Sequence, residues 1–317
     1  MHVERASRFE RLFQFGGDTV PRRWLVGSLG LAMLIVSGPS IGAQGQRPLA
    51  PAPPSGGLRV APFFDGWYSN PDGTATLSFG YSNLNRDEVV EIPLGPDNFI
   101  EPKEFNGRQP TSFPPVVPDA ADGGGGGRDR RERERGVFTV TVPKGFKGDV
   151  VWTLRVRGQA YSVPGNTKTT AYSLRWPMAM GSVPPLLRFK ADGPGGRGPA
   201  GTEGDPLRAS VGAPLSLTIW AIDDSKREPE TLPIKERERK AAINIAWFKH
   251  AGPGPVEFSS AKQGLADLKG STTTTATFKQ PGEYVIRVRA DNFGRVDTSA
   301  GNQCCWTNGY VKVTVAP

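Results

Sequence analysis

Apolar and polar residues alternate in several short runs of this chain, and the alternation predicts β-strands. In the clearest run of the first part, Leu77, Phe79 and Tyr81 are separated by a serine and a glycine. A period of two over this length is typical of a strand with one buried face. The same criterion predicts the other strands of the first part, at residues 89–94, 137–142, 150–156, 161–163 and 171–176.

The second part of the chain repeats this pattern more strongly. Its predicted strands have the following apolar faces: Leu215, Leu217, Ile219 and Ala221; Ile243, Ile245 and Trp247; Tyr284, Ile286, Val288 and Ala290; and Val311, Val313 and Val315. The pattern also predicts a strand at residues 186–191, which would be the first of this part, and an edge strand at residues 272–278. No segment between residues 60 and 183 repeats its apolar residues with the period of a helix. We therefore predict an all-β protein with two consecutive antiparallel β-sandwich domains.

A basic, an apolar and a small-residue stretch follow one another near the start of the chain. Arg22 and Arg23 precede the apolar run 24–36, and small residues come after it. This order is typical of a secretory signal, and the run is shorter than the roughly 20 residues that a membrane-spanning helix needs. We predict a signal peptide at 1–43, no membrane span in the mature chain, and a periplasmic or secreted location. An uncleaved anchor or a buried helix is the alternative interpretation.

The composition of residues 44–317 predicts a linker and two domains. Residues 44–60 are rich in proline and glycine and predict a disordered linker. A first β-sandwich domain is predicted at 61–183 and a second at 184–317, with the stretch SVPP at their boundary. Within the first domain, residues 103–135 contain five consecutive glycines and charges of both signs, which predicts a flexible, solvated insertion. Alternatively, the arginines of this insertion could contact an anionic partner.

The net charge of the chain narrows the choice of partner. It is +8 in total, and the first 43 residues contain five arginines and three acidic residues, so the mature chain keeps about +6. These charges are spread out, whereas nucleic-acid binders usually concentrate theirs in a basic stripe on a recognisable module. We therefore predict no nucleic-acid partner. The chain has 40 glycines and 30 prolines, but the strand runs between them predict a folded body.

Three segments of the second domain are similar to a known fold: VGAPLSLTIWAIDD at 211–224, INIAWF at 243–248 and FKQPGEYVIRVRADN at 278–292. On these segments the domain resembles an immunoglobulin-like or PKD-type β-sandwich. The resemblance implies that Trp247 packs in the core and that Tyr284 fixes the corner before the penultimate strand. The strands that carry the inter-sheet disulfide in antibody-type domains contain no cysteine here. Because this fold serves many unrelated roles, the resemblance implies little about function.

The first domain opens with DGWYSNPDGTATLSFGYSN at 65–83 and on this segment resembles uncharacterised secreted bacterial proteins. That resemblance implies no particular activity. The segment also contains two adjacent aromatic residues, Trp67 and Tyr68, which on a strand must point to opposite faces. An outward ring could stack on a sugar, or it could close the rim of the core.

The only cysteines of the chain, Cys304 and Cys305, are adjacent. Thiols of exported proteins tend to be oxidised, so the pair predicts a vicinal disulfide. Neighbouring Cα atoms are about 3.8 Å apart, closer than the ~4.4–6.8 Å of ordinary disulfides, so the bond should be easily reduced. Thiols that bind a soft metal, bonds to another chain and inert thiols are the alternative hypotheses. Structural zinc needs four ligands, and His250 is the only histidine after residue 43.

In an immunoglobulin-like sandwich, the loop after the second strand and the loop before the last strand emerge at the same end. The sequence therefore predicts a binding surface there, made of Asp223, Asp224, Asp291, Asn292 and Trp306. Asp297 and the two cysteines belong to the same loops. Oxygen ligands of this kind could hold calcium, or they could cap turns. We predict no other cofactor and no other metal.

Motifs of catalysis are missing from the mature chain. After residue 43 it contains neither GxSxG nor HExxH, and its polyglycine stretch lacks the lysine and the helix of a phosphate-binding loop. No catalytic residue is predicted. We predict an exported, non-catalytic binding or structural module of the bacterial cell envelope or secreted fraction, whose loops bind an envelope protein or a surface glycan. A carbohydrate-binding accessory protein is one alternative. A hydrolase is another, because a catalytic carboxylate pair needs no proximity in sequence.

Overall fold

The computed structural model of the protein describes residues 56–116, 133–174, 181–226, 241–292 and 305–317. The predicted signal peptide and most of the predicted linker lie outside these residues. The described residues form nineteen strands and two 3-10 turns, in chain order: β1 (Val60–Ser69), β2 (Ala75–Asn83), β3 (Val90–Glu91), β4 (Asn98–Glu101), a turn (Lys103–Phe105), β5 (Ser112–Phe113), β6 (Glu134–Val142), β7 (Val150–Val156), β8 (Gln159–Gly165), a turn (Thr170–Tyr172), β9 (Leu186–Arg188), β10 (Gly195–Gly196), β11 (Thr202–Glu203), β12 (Leu207–Ser210), β13 (Pro214–Ile222), β14 (Ile243–Ala251), β15 (Val256–Phe258), β16 (Lys262–Leu265), β17 (Lys269–Phe278), β18 (Gly282–Asp291) and β19 (Trp306–Ala316). Within them, no helix has the length and apolar character needed to cross a membrane.

Strands β1 to β8 form three small antiparallel sheets around a first core. Their orders are β1-β2-β6, β4-β7-β8 and β3-β5. The core contains the apolar face predicted for β2, together with Phe138 and Trp152. The Trp152 ring packs edge-on against Phe138, with 4.9 Å between the ring centroids. Such aromatic contacts add about 0.5–1.5 kcal/mol to the burial of the two rings.

Strands β9 to β19 form two sheets that share a second core. One sheet has the order β10-β9-β13-β17-β15, and the other has the order β11-β19-β18-β14-β16, with β12 also paired to β19. Strands β11 and β12 run parallel to β19, and the other pairs are antiparallel. The buried residues of both sheets are those that alternation assigns to the inner face, for example Ile219 and Val288. The predicted all-β fold is confirmed, whereas the exact domain limits stay a prediction.

The immunoglobulin-like expectations hold at two residues of the second core. Trp247 on β14 is buried among its apolar residues. The Tyr284 hydroxyl donates a hydrogen bond to the carbonyl of Gln280 at 2.9 Å and accepts one from the N–H of Gly254 at 3.1 Å. The tyrosine therefore ties the corner before β18 to the turn after β14.

Strand β2 differs from the prediction, because both of its faces are buried. Thr76 and Ser78, on the face predicted to meet solvent, are only 2% and 0% exposed. Tyr68 lies opposite Thr76 and hydrogen-bonds both Thr76 and the backbone of Ala200, which belongs to the second half of the chain. The second half thus covers the face that a separate domain would have left in water.

Part of the predicted flexible insertion at 103–135 is built into the fold. Phe113 of β5 is fully buried in the first core, and the side-chain amide of Asn98 donates to the carbonyl of Pro110 at 2.7 Å. These contacts fix residues 103–116, so the prediction is wrong there. Glu134 already belongs to β6, and residues 117–132 lie outside the described part.

Three predicted strands are also corrected. The strand at 89–94 shrinks to the two residues of β3. The described part of 171–176 contains no strand, because Thr169 accepts a hydrogen bond from the N–H of Ala171 and caps a 3-10 turn instead. The segment 272–278 is not an edge, because β17 lies between β13 and β15.

A buried ion-pair cluster joins the two cores, which belong to one compact unit at 52–317. Oε1 of Glu134 accepts hydrogen bonds from Arg287 at 2.7 Å and from Arg289 at 2.8 Å. The Arg287 guanidinium also lies 4.1 Å from the centre of the Phe248 ring. Burial would raise the pKa of Glu134, but the two arginines hold it below the ordinary 4.5. Glu134 is therefore ionised, as a buried partner of two cations must be.

Strand β19 adds further contacts between the two cores, and we call the region where the two cores meet the junction. The Tyr310 hydroxyl donates to the carbonyl of Val137 at 2.7 Å, and the Asn308 amide donates to the carbonyl of Gly136. Trp306 packs so closely on Gly136 that a Cβ there would overlap the indole ring. Gly136 also has a φ of +55°, so its position favours glycine for two reasons.

Candidate functional site

The ends of several strands bring the residues predicted to bind to one end of the second core. Strand β13 ends just before Asp223 and Asp224, and Asp291 at the end of β18 pairs with Trp306 at the start of β19. We call this group the loop-end cluster; its members are Val183, Arg197, Asp223, Asp224, Ser225, Leu268, Asp291, Asn292, Cys305 and Trp306.

Asp223 is buried and holds the turn that follows β13. Its Oδ1 accepts hydrogen bonds from the backbone N–H of Ser225 at 3.1 Å and from the Ser225 hydroxyl at 2.5 Å. Its own N–H donates to the carbonyl of Leu268 at 2.7 Å. This is the geometry of an Asx turn, in which an aspartate side chain stabilises the local backbone.

Asn292 ties the neighbouring loop to the same turn. Its amide donates to the carbonyl of Val183 at 3.1 Å, and its backbone N–H donates to the carbonyl of Cys305 at 3.2 Å. The N–H of Val183 in turn donates to the Ser225 hydroxyl at 3.0 Å. A continuous chain of hydrogen bonds therefore runs from Asp223 through Ser225, Val183 and Asn292 to Cys305.

The exposed part of the cluster consists of three side chains. Asp224 forms an ion pair with Arg197 at 2.6 Å, and 55% of the Asp224 side chain is exposed. Arg197 also donates to the carbonyl of Pro184 at 2.7 Å. Leu268 is 44% exposed and is held near them by the Asp223 hydrogen bond. These three side chains form the exposed surface of the cluster.

Asp291 and Trp306, by contrast, are each only 1% exposed. One carboxylate oxygen of Asp291 accepts from the amide of Asn244 at 3.0 Å, and the other accepts from Arg289 at 3.1 Å. Asp291 thus extends the ion-pair cluster of the junction. These two residues face the interior, which the sequence pattern did not indicate.

The metal and disulfide hypotheses involve residues that lie outside the described ranges. Among the residues that the structure places, no three His, Cys, Asp or Glu side chains gather as they would around a metal ion. Cys305 is buried, whereas Cys304 and Asp297 lie outside the described ranges. The vicinal disulfide and the calcium site therefore stay predictions.

The two adjacent aromatic residues of β1 have structural partners. The indole N–H of Trp67 donates to the carbonyl of Thr169 at 2.9 Å, and the ring packs against the first core. Tyr68 contacts Thr76 and Ala200 at the covered face of β2. Trp67 corresponds to the interpretation in which an aromatic ring closes the rim of a core.

Two buried titratable groups were not anticipated from the sequence. Oδ2 of Asp65 accepts from the N–H of Gly136 at 2.7 Å, and burial raises the pKa of this carboxyl to about 6. His250 is bonded through Nε2 to the carbonyl of Arg108 at 2.9 Å, and burial lowers its pKa to about 4. Asp65 lies in β1 and His250 in β14. The alternation of apolar and polar residues in these strands does not indicate that either side chain is buried.

Two clefts open along the junction. One has a volume of about 550 Å³ and is lined by Tyr81, Trp247, Phe258 and an ion pair between Lys249 and Glu91 at 2.8 Å. The other has a volume of about 410 Å³ and is lined by Arg108, Glu203, His250, Tyr310 and Lys312. Because both halves of the chain contribute to each wall, no single stretch of sequence predicts either cleft.

Comparison with known proteins finds no matching protein family and no matching curated protein. Among solved structures, the chain is similar to the D0–D1 domain of intimin, with 10% identity, a TM-score of 0.23, and coverage of 81% of this chain and 97% of that one. It is also similar to domains 4 and 5 of the S-layer protein SbsC, with 13% identity, a TM-score of 0.22, and coverage of 74% and 99%. The adhesin InvE of Yersinia pseudotuberculosis gives 11% identity, a TM-score of 0.20, and coverage of 80% and 58%. Such low scores carry no argument about function, and the all-β fold rests on the strands themselves.

Proposed function

We propose that this chain is a non-catalytic binding module of the cell envelope or secreted fraction, and that it binds an envelope protein through the loop-end cluster. The observation that carries the proposal is the hydrogen-bond chain from Asp223 to Asn292. It fixes the residues at the described ends of the two loops, Asp223 to Ser225 on one side and Asn292 and Cys305 on the other, before a partner arrives, so these residues lose little conformational entropy on binding. Loops on a rigid β-scaffold are common binding surfaces.

The exposed side chains of the cluster support a protein partner. Asp224 and Arg197 offer one charge of each sign, and Leu268 offers an apolar contact beside them. Protein interfaces combine an apolar centre with a polar rim in this way. The buried pair of Glu134 and Arg287 keeps the second core fixed against the first, so the cluster is presented in one orientation.

Site-specific crosslinking in the exporting cell tests this proposal. A photo-reactive amino acid at position 268 should give a crosslinked envelope protein of discrete mass. The same amino acid at position 172 is the control, because Tyr172 is also half exposed but lies on the first core. The substitution Asp224→Ala should reduce the crosslink without unfolding the protein, since exposed ion pairs contribute only about 0–1 kcal/mol.

Two outcomes would contradict the proposal. One is equal crosslinking from positions 268 and 172, which would indicate contact without a specific surface. The other is the absence of a crosslinked protein from position 268 in cells that export and fold the chain.

A further inference from the structure

Arg188 on β9 is a partly buried arginine without a counter-ion. Its Nε atom is shielded from solvent and has no hydrogen-bond partner. The side chain forms no ion pair, hydrogen bond or cation–π contact with any residue that the structure describes. Charged side chains are seldom buried without a partner of opposite charge. The guanidinium of Arg188 is therefore available to an anionic group of another molecule.

The neighbouring strands hold the Arg188 side chain in place. Leu187 beside it is fully buried in the second core, so Arg188 points to the outer face of its sheet. On one side Arg188 pairs with Gly195 of β10, where a Cβ would lie only 2.8 Å from Cγ of the arginine. On the other side it pairs with Trp220 of β13. A side chain whose stem is confined in this way loses little conformational entropy on binding.

The outer face beside Arg188 continues into the loop-end cluster. In the next row of the sheet, Leu186, Ile222 and Lys269 lie side by side on β9, β13 and β17. Ile222 ends β13 at the cluster, and Lys269 directly follows Leu268. Leu186 and Ile222 are partly exposed, and Lys269 is exposed. A short apolar strip between two cations thus adjoins the surface proposed to bind a protein.

The acidic residues around this face do not neutralise its two cations. Asp224 already pairs with an arginine of the loop-end cluster at 2.6 Å. Glu257, at the far end of the outer face, pairs with Lys279 at 2.8 Å. Asp192, between β9 and β10, and Asp267, before β17, form no ion pair with another described residue. Charge complementarity therefore favours an anionic partner.

An acidic segment of a protein would use both the charge and the apolar strip. A guanidinium binds a carboxylate through two parallel hydrogen bonds, and arginines are frequent among the residues that dominate protein interfaces. A free anion would leave Leu186 and Ile222 without a contact. We infer that the protein bound by the loop-end cluster also covers this outer face, and that a carboxylate of an acidic segment in that protein pairs with Arg188. The inference rests on the proposed function and adds the chemistry of the partner.

A second crosslinking position tests the inference. A photo-reactive amino acid replaces Ser271, which is exposed and lies opposite Trp220 on the outer face, in the chain exported by the cell. It should capture the same envelope protein as position 268. Mass spectrometry of the crosslinked peptide should place the crosslink in a segment that contains Asp or Glu.

Three substitutions in this chain measure the contribution of charge. Arg188→Gln should lower the crosslink yield from position 271 by about threefold or more, because glutamine cannot form the charged two-pronged pair. Lys269→Gln should lower it by about twofold, as expected for an exposed charge. Arg208→Gln is the matched control and should leave the yield unchanged, because Arg208 is exposed on β12 and has no ion-pair partner among the described residues.

A charge exchange then identifies the pairing. Arg188→Glu should abolish the crosslink, and replacing the acidic residue of the captured segment by arginine should restore it. Circular dichroism confirms the fold of each variant, and Lys269→Gln serves alone if the Arg188 variants fail to fold.

The outcomes separate this inference from the proposed function. If position 268 gives a crosslink but position 271 does not, or if folded Arg188→Gln and Lys269→Gln crosslink as the wild type does, the inference is overturned and the proposed function stands. A captured segment without acidic residues, a failed charge exchange, or a crosslink to a glycan or lipid would also overturn it. A crosslink from position 271 alone that depends on Arg188 would support the outer face and contradict the loop-end cluster. Silence at both positions would contradict both.

Discussion

Glu134 and Arg287 form a buried ion pair at 2.7 Å although 153 positions separate them in the chain. Only 8% of the glutamate side chain and 2% of the arginine side chain are exposed. Taking two charges out of water is unfavourable, and only close pairing with further hydrogen bonds offsets the loss of hydration. The two cores are thus held together by a contact that tolerates no loss of either partner.

The substitution Glu134→Gln should destabilise the protein strongly. It leaves Arg287 charged and buried without a counter-ion and leaves Arg289 with Asp291 alone, and an uncompensated buried charge typically costs about 3–5 kcal/mol. Urea denaturation followed by tryptophan fluorescence measures the change in the free energy of unfolding. Glu88→Gln is the matched control, because Glu88 pairs with Arg157 at the surface, and such pairs contribute about 0–1 kcal/mol. Equal effects of the two substitutions would argue against a structural role for the junction.

Gly136→Ala should be far more damaging than Gly158→Ala. Both glycines have positive φ, +55° and +77°, so both substitutions strain the backbone by about 1 kcal/mol. A Cβ at position 158 meets open space, whereas a Cβ at position 136 overlaps the Trp306 ring. We expect the Gly136 variant to lose about 2 kcal/mol more than its control, as overpacked sites do. Thermal unfolding compares the two, and similar melting temperatures would contradict the contact with Trp306.

Asp65→Asn should change how stability depends on pH. Burial raises the pKa of Asp65 from 3.8 to about 6, so the folded state holds a proton that the unfolded state releases between about pH 4 and pH 6. Stability from this group is complete below pH 4 and is lost as the pH rises through 6. The variant should match the wild type at pH 4 and exceed it by up to about 3 kcal/mol at pH 7.5. A difference that stays constant across this range would refute the prediction.

His250→Gln should have the opposite pH dependence. Burial lowers the pKa of His250 from 6.5 to about 4, so the unfolded state binds a proton that the folded state refuses. Stability from the neutral imidazole is complete above pH 6.5 and is lost as the pH falls towards 4. Relative to the Gln variant, the wild type should lose up to about 3 kcal/mol between pH 7 and pH 4. Urea titrations at both pH values measure this, and a parallel decline in the two proteins would speak against a buried neutral histidine.

Alternation predicted the strands whose environment is uniform along their length. Leu217 and Ile219 on β13 and Ile286 on β18 lie in the second core, where one sheet face meets the apolar interior. The same alternation predicts that Trp220 lies on the outer face of β13, because it occupies a polar position in LSLTIWAI. An aromatic residue in that register is the signal for an outward ring.

The contacts between the halves could not be read from the sequence. Arg287 and Arg289 alternate with apolar residues as solvent-facing residues would, and their burial depends on Glu134 from a distant strand. Thr76 and Ser78 look half exposed for the same reason. The sequence correctly predicted that the residues after β13 and those between β18 and β19 lie at the same end of the second core. It could not show that the Asp291 side chain points into the junction.

The buried pair of Glu134 and Arg287 also limits how far either half can be transplanted. A fragment that begins near residue 183 would lack Glu134. The charge of Arg287 would then be unpaired, in a surface that is buried in the whole chain. Such a fragment would be prone to self-association, so engineers who graft the second half onto another scaffold must replace Arg287 and Arg289 as well as choose a linker.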